Sequence, residues 1–170
     1  DHAKNVLADA GLTPGPYGIS ASLIRPDPAA EKEEARQIAQ ALRIAGKLGC
    51  TALRYSVGSM HPANVWMHHP DNFTQKALDR LIENTRKMLP VAEDAGVVLC
   101  PETTQWTIVH GIETMREFVD RLDSPYAKII FDFVNHMTPE LVYDSRRFIQ
   151  CAVAALGDRI VEFHVKDVKV

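Results

Sequence analysis

Five short apolar runs recur at intervals of about 30–47 residues, each separated from the next by a longer amphipathic segment. That alternation constrains the fold more than any other feature of the chain. The runs 17–22, 50–57, 97–102, 127–133 and 158–168 read as strands. The segments between them carry helical spacing. In 29–49, Ala35, Ile38, Leu42 and Ala45 share a face and Gly49 marks the exit. A helix starting near Asn72 turns Phe73, Ala77, Leu81 and Met88 to a core, is kinked or split by Pro90, and ends at Gly96. In 111–122, Ile112, Met115, Val119 and Leu122 are in register. The segment 138–157 opens with Thr138 as N-cap, Pro139 at the first helical position and Glu140 in the first turn. Strand–helix alternation of this kind implies a parallel sheet with right-handed crossovers, an α/β fold.

Two architectures satisfy that pattern. A five-stranded doubly wound sheet fits the length of 170 residues, yet it ordinarily ends on a covering helix and carries a phosphate loop. Neither GxGxxG nor GxxxxGK[ST] occurs here. A (β/α)8 barrel needs about 250 residues, so the chain would hold roughly strands two to six of eight, as one partial barrel domain over 1–170. The chain opens on what reads as the last turns of a helix, Ala3, Val6, Leu7 and Ala10 leading to Gly11, and closes on a strand. The expectation is therefore an incomplete TIM barrel.

Composition narrows the class. A net charge of −3 supplies no electrostatic footprint for nucleic acid, and no apolar run reaches the length of a membrane span. The three cysteines, Cys50, Cys100 and Cys151, lie far apart in apolar contexts and are expected to be reduced core thiols. A cytoplasmic protein is the expectation.

Chemistry in α/β folds gathers at the carboxyl ends of the strands. Three consecutive strands end here in potential ligands: "VLCPE" in Glu102, "IIFD" in Asp132 and "VEFH" in His164. Singly, each has an ordinary explanation as a solvated cap, a helix cap or a core histidine. Jointly, on strands about 4.8 Å apart, they can converge on one divalent ion. Two carboxylates and an imidazole suit Mn²⁺, Mg²⁺, Co²⁺ or Zn²⁺, with the oxygen-rich set leaning toward Mn²⁺ or Mg²⁺.

The segments "LCPE", "IIFDFVNHMTPE" and "LGDRIVEFHVKD" resemble the xylose isomerase-like TIM-barrel superfamily, in its sugar phosphate isomerase/epimerase branch. The ordered set D-x-x-N, T-P-E, G-D-R-I and H-x-K-D carries the resemblance, which runs through nearly the whole chain. It implies that Glu102, Asp132 and His164 bind a divalent metal, with Mn²⁺ the first choice, and that a fourth ligand lies beyond Val170. It also implies a metal-dependent sugar isomerase or epimerase, in which Glu102 takes a proton next to a carbonyl through a metal-stabilised enediolate. The expected partner is a small sugar or keto-sugar. Asn135 departs from the family's ketose 3-epimerases, some of which carry histidine there, and is read as a substrate contact. Lys166 shares the parity of His164 and could reach a hydroxyl or carboxylate. Glu162, of the same parity, would sit behind the ligands.

Other candidates are Arg54, which suits an anionic group or an ion pair, and the long loop "MHPANVWMHHP". There Trp66 could stack on a sugar and His61, His68 and His69 could bind polar groups; an ordered surface loop or subunit contact is an equal alternative. A homo-oligomer is compatible with the sequence. Within the superfamily, an inosose dehydratase and the catalytic subunit of a C-glycoside deglycosidase share the enolisation step. A trinuclear-zinc endonuclease fits less well, because Asn135 replaces an expected histidine and the charge is negative. A non-catalytic barrel completes the alternatives.

Overall fold

The computed structural model describes residues 2–167. Asp1, in the segment expected to be the last turns of a helix, and Val168, expected to end the last strand, lie outside the described residues. Strands alternate with helices, two of which lie between the last pair of strands: α1 (His2–Asp9), β1 (Tyr17–Ser22), α2 (Pro28–Leu48), β2 (Ala52–Ser56), α3 (Gln75–Ala95), β3 (Val98–Glu102), α4 (Ile112–Leu122), β4 (Ile129–Asp132), α5 (Pro139–Val142), α6 (Ser145–Leu156) and β5 (Ile160–His164). All strand pairs are parallel and the sheet order is β1-β2-β3-β4-β5. Sequential order without a switch point is the topology of a barrel wall, not of a doubly wound sheet.

The helices start and stop where their sequences dictate. Asp27 caps α2 by accepting from the backbone N–H groups of Ala29 and Ala30, and Gly49 ends it in the left-handed region at φ 85°. Thr138 caps α5, accepting from Leu141 N–H. The structure departs from the expected pattern at three places. Pro90 does not split α3, which runs unbroken over 21 residues. The proline is exposed, so the carbonyl deprived of its N–H partner faces water. Residues 70–73 form a 3₁₀ turn ahead of α3, whose N-cap is Thr74, and Phe73 is 44% exposed instead of core-facing. The single helix expected over 138–157 is two, broken between Val142 and Ser145.

Alternation along each strand separates two surfaces. Leu53, Tyr55, Leu99, Ile129 and Phe131 are fully buried and pack against the helix faces carrying Ile38, Leu42, Leu81, Ile82, Phe118 and Val119. The opposite surface carries Ala52, Cys100 and Ile130, a small second cluster joined by Val98. Of the cysteines, Cys50 and Cys100 are buried, but Cys151 is exposed on α6, contrary to expectation. Among the described residues, no helix is long and apolar enough to cross a membrane.

Candidate metal centre

The inward surface turns polar at the carboxyl ends of β3, β4 and β5. Register explains why three side chains from different strands meet there. Ser56 of β2 lies opposite Glu102, Glu102 opposite Ile130, and Asp132 opposite His164. Glu102 is thus two residues behind Asp132 along the sheet, the stagger expected of tilted barrel strands. Both keep the same parity, and the additional methylene of glutamate reaches forward across the offset.

One ligand atom from each of Glu102, Asp132 and His164 lies within 4.8 Å of the others. His164 Nδ1 is 3.3 Å from Glu102 Oε1 and 3.4 Å from Asp132 Oδ2. Its Nε2 faces Glu162 Oε1 at 3.6 Å. The geometry suits an imidazole whose Nε2–H points at a carboxylate while the Nδ1 lone pair points into the cluster, as in orienting carboxylate–histidine pairs. Asp132 is fully buried, and its Oδ1 has no hydrogen-bond partner among the described residues. A buried, unpartnered carboxylate oxygen is costly unless a cation or donor completes it. Two carboxylates and one imidazole in this arrangement fit a divalent cation.

Cations of the chain itself frame the cluster. Arg54 Nη1 donates to Glu102 Oε2 at 2.7 Å. Lys166 Nζ pairs with Asp132 Oδ2 and lies 3.5 Å from Asn135 Oδ1. Asn135 Nδ2 donates to Glu102 Oε1 at 3.3 Å. The structure therefore brings Glu102, Asp132, His164, Asn135, Lys166 and Arg54 together, with Glu162 behind the imidazole. The loop after β2 is organised differently. His61 Nδ1 accepts from Ala63 N–H and His69 Nδ1 from Asp71 N–H, so both rings brace turns of their own loop. His68 packs with Phe73 and Trp106 at centroid separations of 5.2 and 5.9 Å. Trp66 is half-buried in the same loop.

Three residues that organise the site, one of them together with Gln105, were not singled out from the sequence. Asn72 is buried beneath the loops after β2 and β3, accepting from Met60 N–H at 2.7 Å and donating to the Trp106 carbonyl at 2.7 Å. His136 is buried between Phe131 and Phe148. Its Nδ1–H donates to the His110 carbonyl at 3.3 Å, so its Nε2, 2.9 Å from Thr103 Oγ1, accepts. Burial pushes its pKa down to about 4, which keeps the ring neutral. Gln105 accompanies it, donating through N–H to the Asn135 carbonyl and through Nε2 to that of Met137. These bonds tie the segment after Glu102 to the segment after Asp132. Ser56 is the third: its buried Oγ, opposite Glu102 in register, has no partner among the described residues.

Residues 1–170 match the family described as xylose isomerase-like TIM barrel. The chain belongs to that family. Among proteins of curated function, none matches it significantly. Solved structures of similar fold include a D-psicose 3-epimerase studied in the presence of D-fructose, at TM-score 0.73 and 16% identity over 95% of this chain and 55% of the other. A 3-keto-D-glucoside 4-epimerase from E. coli superposes at TM-score 0.73 with 16% identity, over 96% and 62% of the two chains. A xylose isomerase-like barrel protein from Mycobacterium smegmatis in complex with magnesium gives TM-score 0.70 and 17% identity, over 96% and 54%. The chain thus spans little more than half the length of these relatives, which show its fold: a five-stranded arc of the barrel.

Proposed function

We propose that this chain carries part of the active site of a divalent-metal-dependent sugar isomerase or epimerase. The observation that carries the reading is the convergence of Glu102, Asp132 and His164 from three adjacent strand ends, one ligand atom of each within 4.8 Å of the others, with the other oxygen of the buried Asp132 carboxylate left without a partner among the described residues. A divalent ion held by these residues supplies positive charge that stabilises negative charge developing on substrate oxygens. The oxygen-rich ligand set favours Mn²⁺ or Mg²⁺, and the magnesium in the mycobacterial relative agrees with that class.

The remaining chemistry belongs to the chain. Glu102 is the proton acceptor at the carbon next to a carbonyl, with Oε1 turned to the ligand cluster and Oε2 toward Arg54. Glu162 orients His164. Lys166 and Asn135, bonded to the two ligand carboxylates, present donors to substrate hydroxyls or a carbonyl. Ser56 adds a hydroxyl on the same inward surface. The sugar specificities of the epimerase relatives support a ketose or keto-sugar substrate.

The test is exchange of carbon-bound hydrogen. Full-length protein loaded with Mn²⁺ should wash deuterium from D₂O into a ketose or 3-keto-sugar at the carbon beside the carbonyl. Glu102→Gln should abolish the exchange. This readout reports the shared step whether the product is an isomer, an epimer or an elimination product. Absence of exchange across both substrate classes by protein that binds metal would overturn the reading.

A further inference from the structure

The ion pair between Arg54 and Glu102 looks at first like a structural contact next to the ligand cluster. Its surroundings give it a more particular role. Arg54 sits on the inward surface of β2, in register with Gly18 of β1 on one side and Cys100 of β3 on the other. Its guanidinium lies against the backbone of Gly18. A Cβ at that position would come within 2.9 Å of both Nε and Nη2. Glycine in the middle of a strand weakens it, and often marks a close approach by another group. Here the approaching group is the guanidinium, which lies beside β1 with Nη1 donating to Glu102 Oε2, 2.7 Å away.

The two oxygens of Glu102 are consequently treated differently. Oε1 faces His164 Nδ1 at 3.3 Å and accepts from Asn135 Nδ2. Oε2 faces away toward Arg54. Carboxylates bind divalent cations through one oxygen or two, and an oxygen captured by the cation is a poor base. We infer that Arg54, seated on Gly18, is a positioning residue that holds Glu102 to one-oxygen ligation and keeps Oε2 as the proton acceptor. The hydrogen bond occupies one lone pair of Oε2 and leaves the other for the substrate proton. The guanidinium charge also opposes migration of a dication toward that oxygen. This inference rests on the metal-centre reading of Glu102, Asp132 and His164.

Removing Arg54 should therefore produce two effects of opposite sign. In Arg54→Met, Mn²⁺ binding to full-length apoprotein, followed by calorimetry, should tighten about tenfold, equivalent to roughly 1.4 kcal/mol. Deuterium exchange into a ketose at saturating Mn²⁺ should slow by at least about tenfold. A substitution that merely loosened the site would weaken metal binding as it slowed exchange. Gly18→Ala should reproduce both effects, because the added methyl unseats the guanidinium; the obstructing atoms are the far end of a flexible side chain, so the strand itself is preserved. Combining the two should equal Arg54→Met alone, the non-additivity expected of residues acting through one contact.

Unchanged or weaker Mn²⁺ binding in Arg54→Met, or full additivity of the pair, would overturn the role of Arg54 while leaving the metal centre standing. Failure of the wild-type protein to bind Mn²⁺, or equal binding by Glu102→Gln, would overturn both.

Discussion

The two surfaces of one sheet follow opposite rules in this molecule. Toward the helices, β2, β3 and β4 present Leu53, Tyr55, Leu99, Ile129 and Phe131, all fully buried and nearly all apolar. Toward the barrel interior the same strands present Arg54, Ser56, Glu102 and Asp132, beside the much smaller Ala52 and Cys100. The side chains alternate residue by residue, so a strand of five residues serves stability and chemistry at once. The lesson is that substitutions one position apart should produce different kinds of damage. Outward changes should alter folding energy with the site intact, and inward changes should alter ligand binding with the fold intact.

The sharpest way to break the contrast is at neighbouring Phe131 and Asp132. Phe131 is fully buried and meets His136, Phe148 and Phe163 at centroid separations of 5.9 Å. Phe131→Ala should cost about 3–5 kcal/mol, read as a lowered denaturant midpoint. Asp132→Asn should leave much of the metal-free stability in place. It should, however, abolish the gain from added cation, which for the wild-type protein reaches about 2.7 kcal/mol at a hundredfold excess of Mn²⁺ over its dissociation constant. If Asp132→Asn unfolds the protein as Phe131→Ala does, the inward surface is part of the core and the division fails.

Acid tests the comparison from a residue that belongs to both surfaces. His136 is packed among outward-facing aromatics yet clamps Thr103, the residue after Glu102. Burial lowers its pKa from 6.5 to about 4. Between those values the unfolded chain takes up a proton that the folded chain refuses, so stability rises with pH there. The contribution is complete above about 6.5, falls by roughly 1.4 kcal/mol per pH unit on acidification, and levels off below about 4. The whole window amounts to about 3 kcal/mol. Denaturant titrations at pH 7 and pH 4.5 should show this loss, and His136→Gln should flatten it. An equally steep acid loss in the variant would assign the effect to other groups.

What the sequence made legible follows the same division. Period-two alternation and helix spacing expose the outward surface, because burial there is decided by neighbours two or four positions away. The inward cluster was legible too, since Glu102, Asp132 and His164 each end an apolar run. His136 and Asn72 were not, because their partners are backbone carbonyls of segments 26 and 34 residues distant. A histidine followed by methionine carries no mark of the His110 carbonyl that will hold it. The continuity of α3 through Pro90 has a related reason: a helix carries on past a proline more readily where the proline faces water, and its immediate neighbours in sequence record that only weakly. In the loop after β2, the histidines suggested ligand chemistry, while Nδ1 of His61 and of His69 is spent on backbone N–H groups.

The smallest effect is the most discriminating for the outward surface. Tyr55 is wholly buried among apolar side chains, with one polar partner, Thr85 Oγ1, at 3.4 Å. Burial pushes its phenol pKa well up, so the hydroxyl stays protonated. Thr85 already donates to the Leu81 carbonyl at 2.8 Å, which leaves the tyrosine as donor to Thr85. Tyr55→Phe deletes that donor without stranding one, since a threonine oxygen retains its own bond. The cost should be about 1 kcal/mol or less, with Mn²⁺ affinity unchanged. Arg54, one position earlier, should show the reverse: little change in folding and a clear change in metal binding. A shift in metal affinity on Tyr55→Phe would mean that the two surfaces are coupled through the strand, and parity would then cease to sort stability from chemistry.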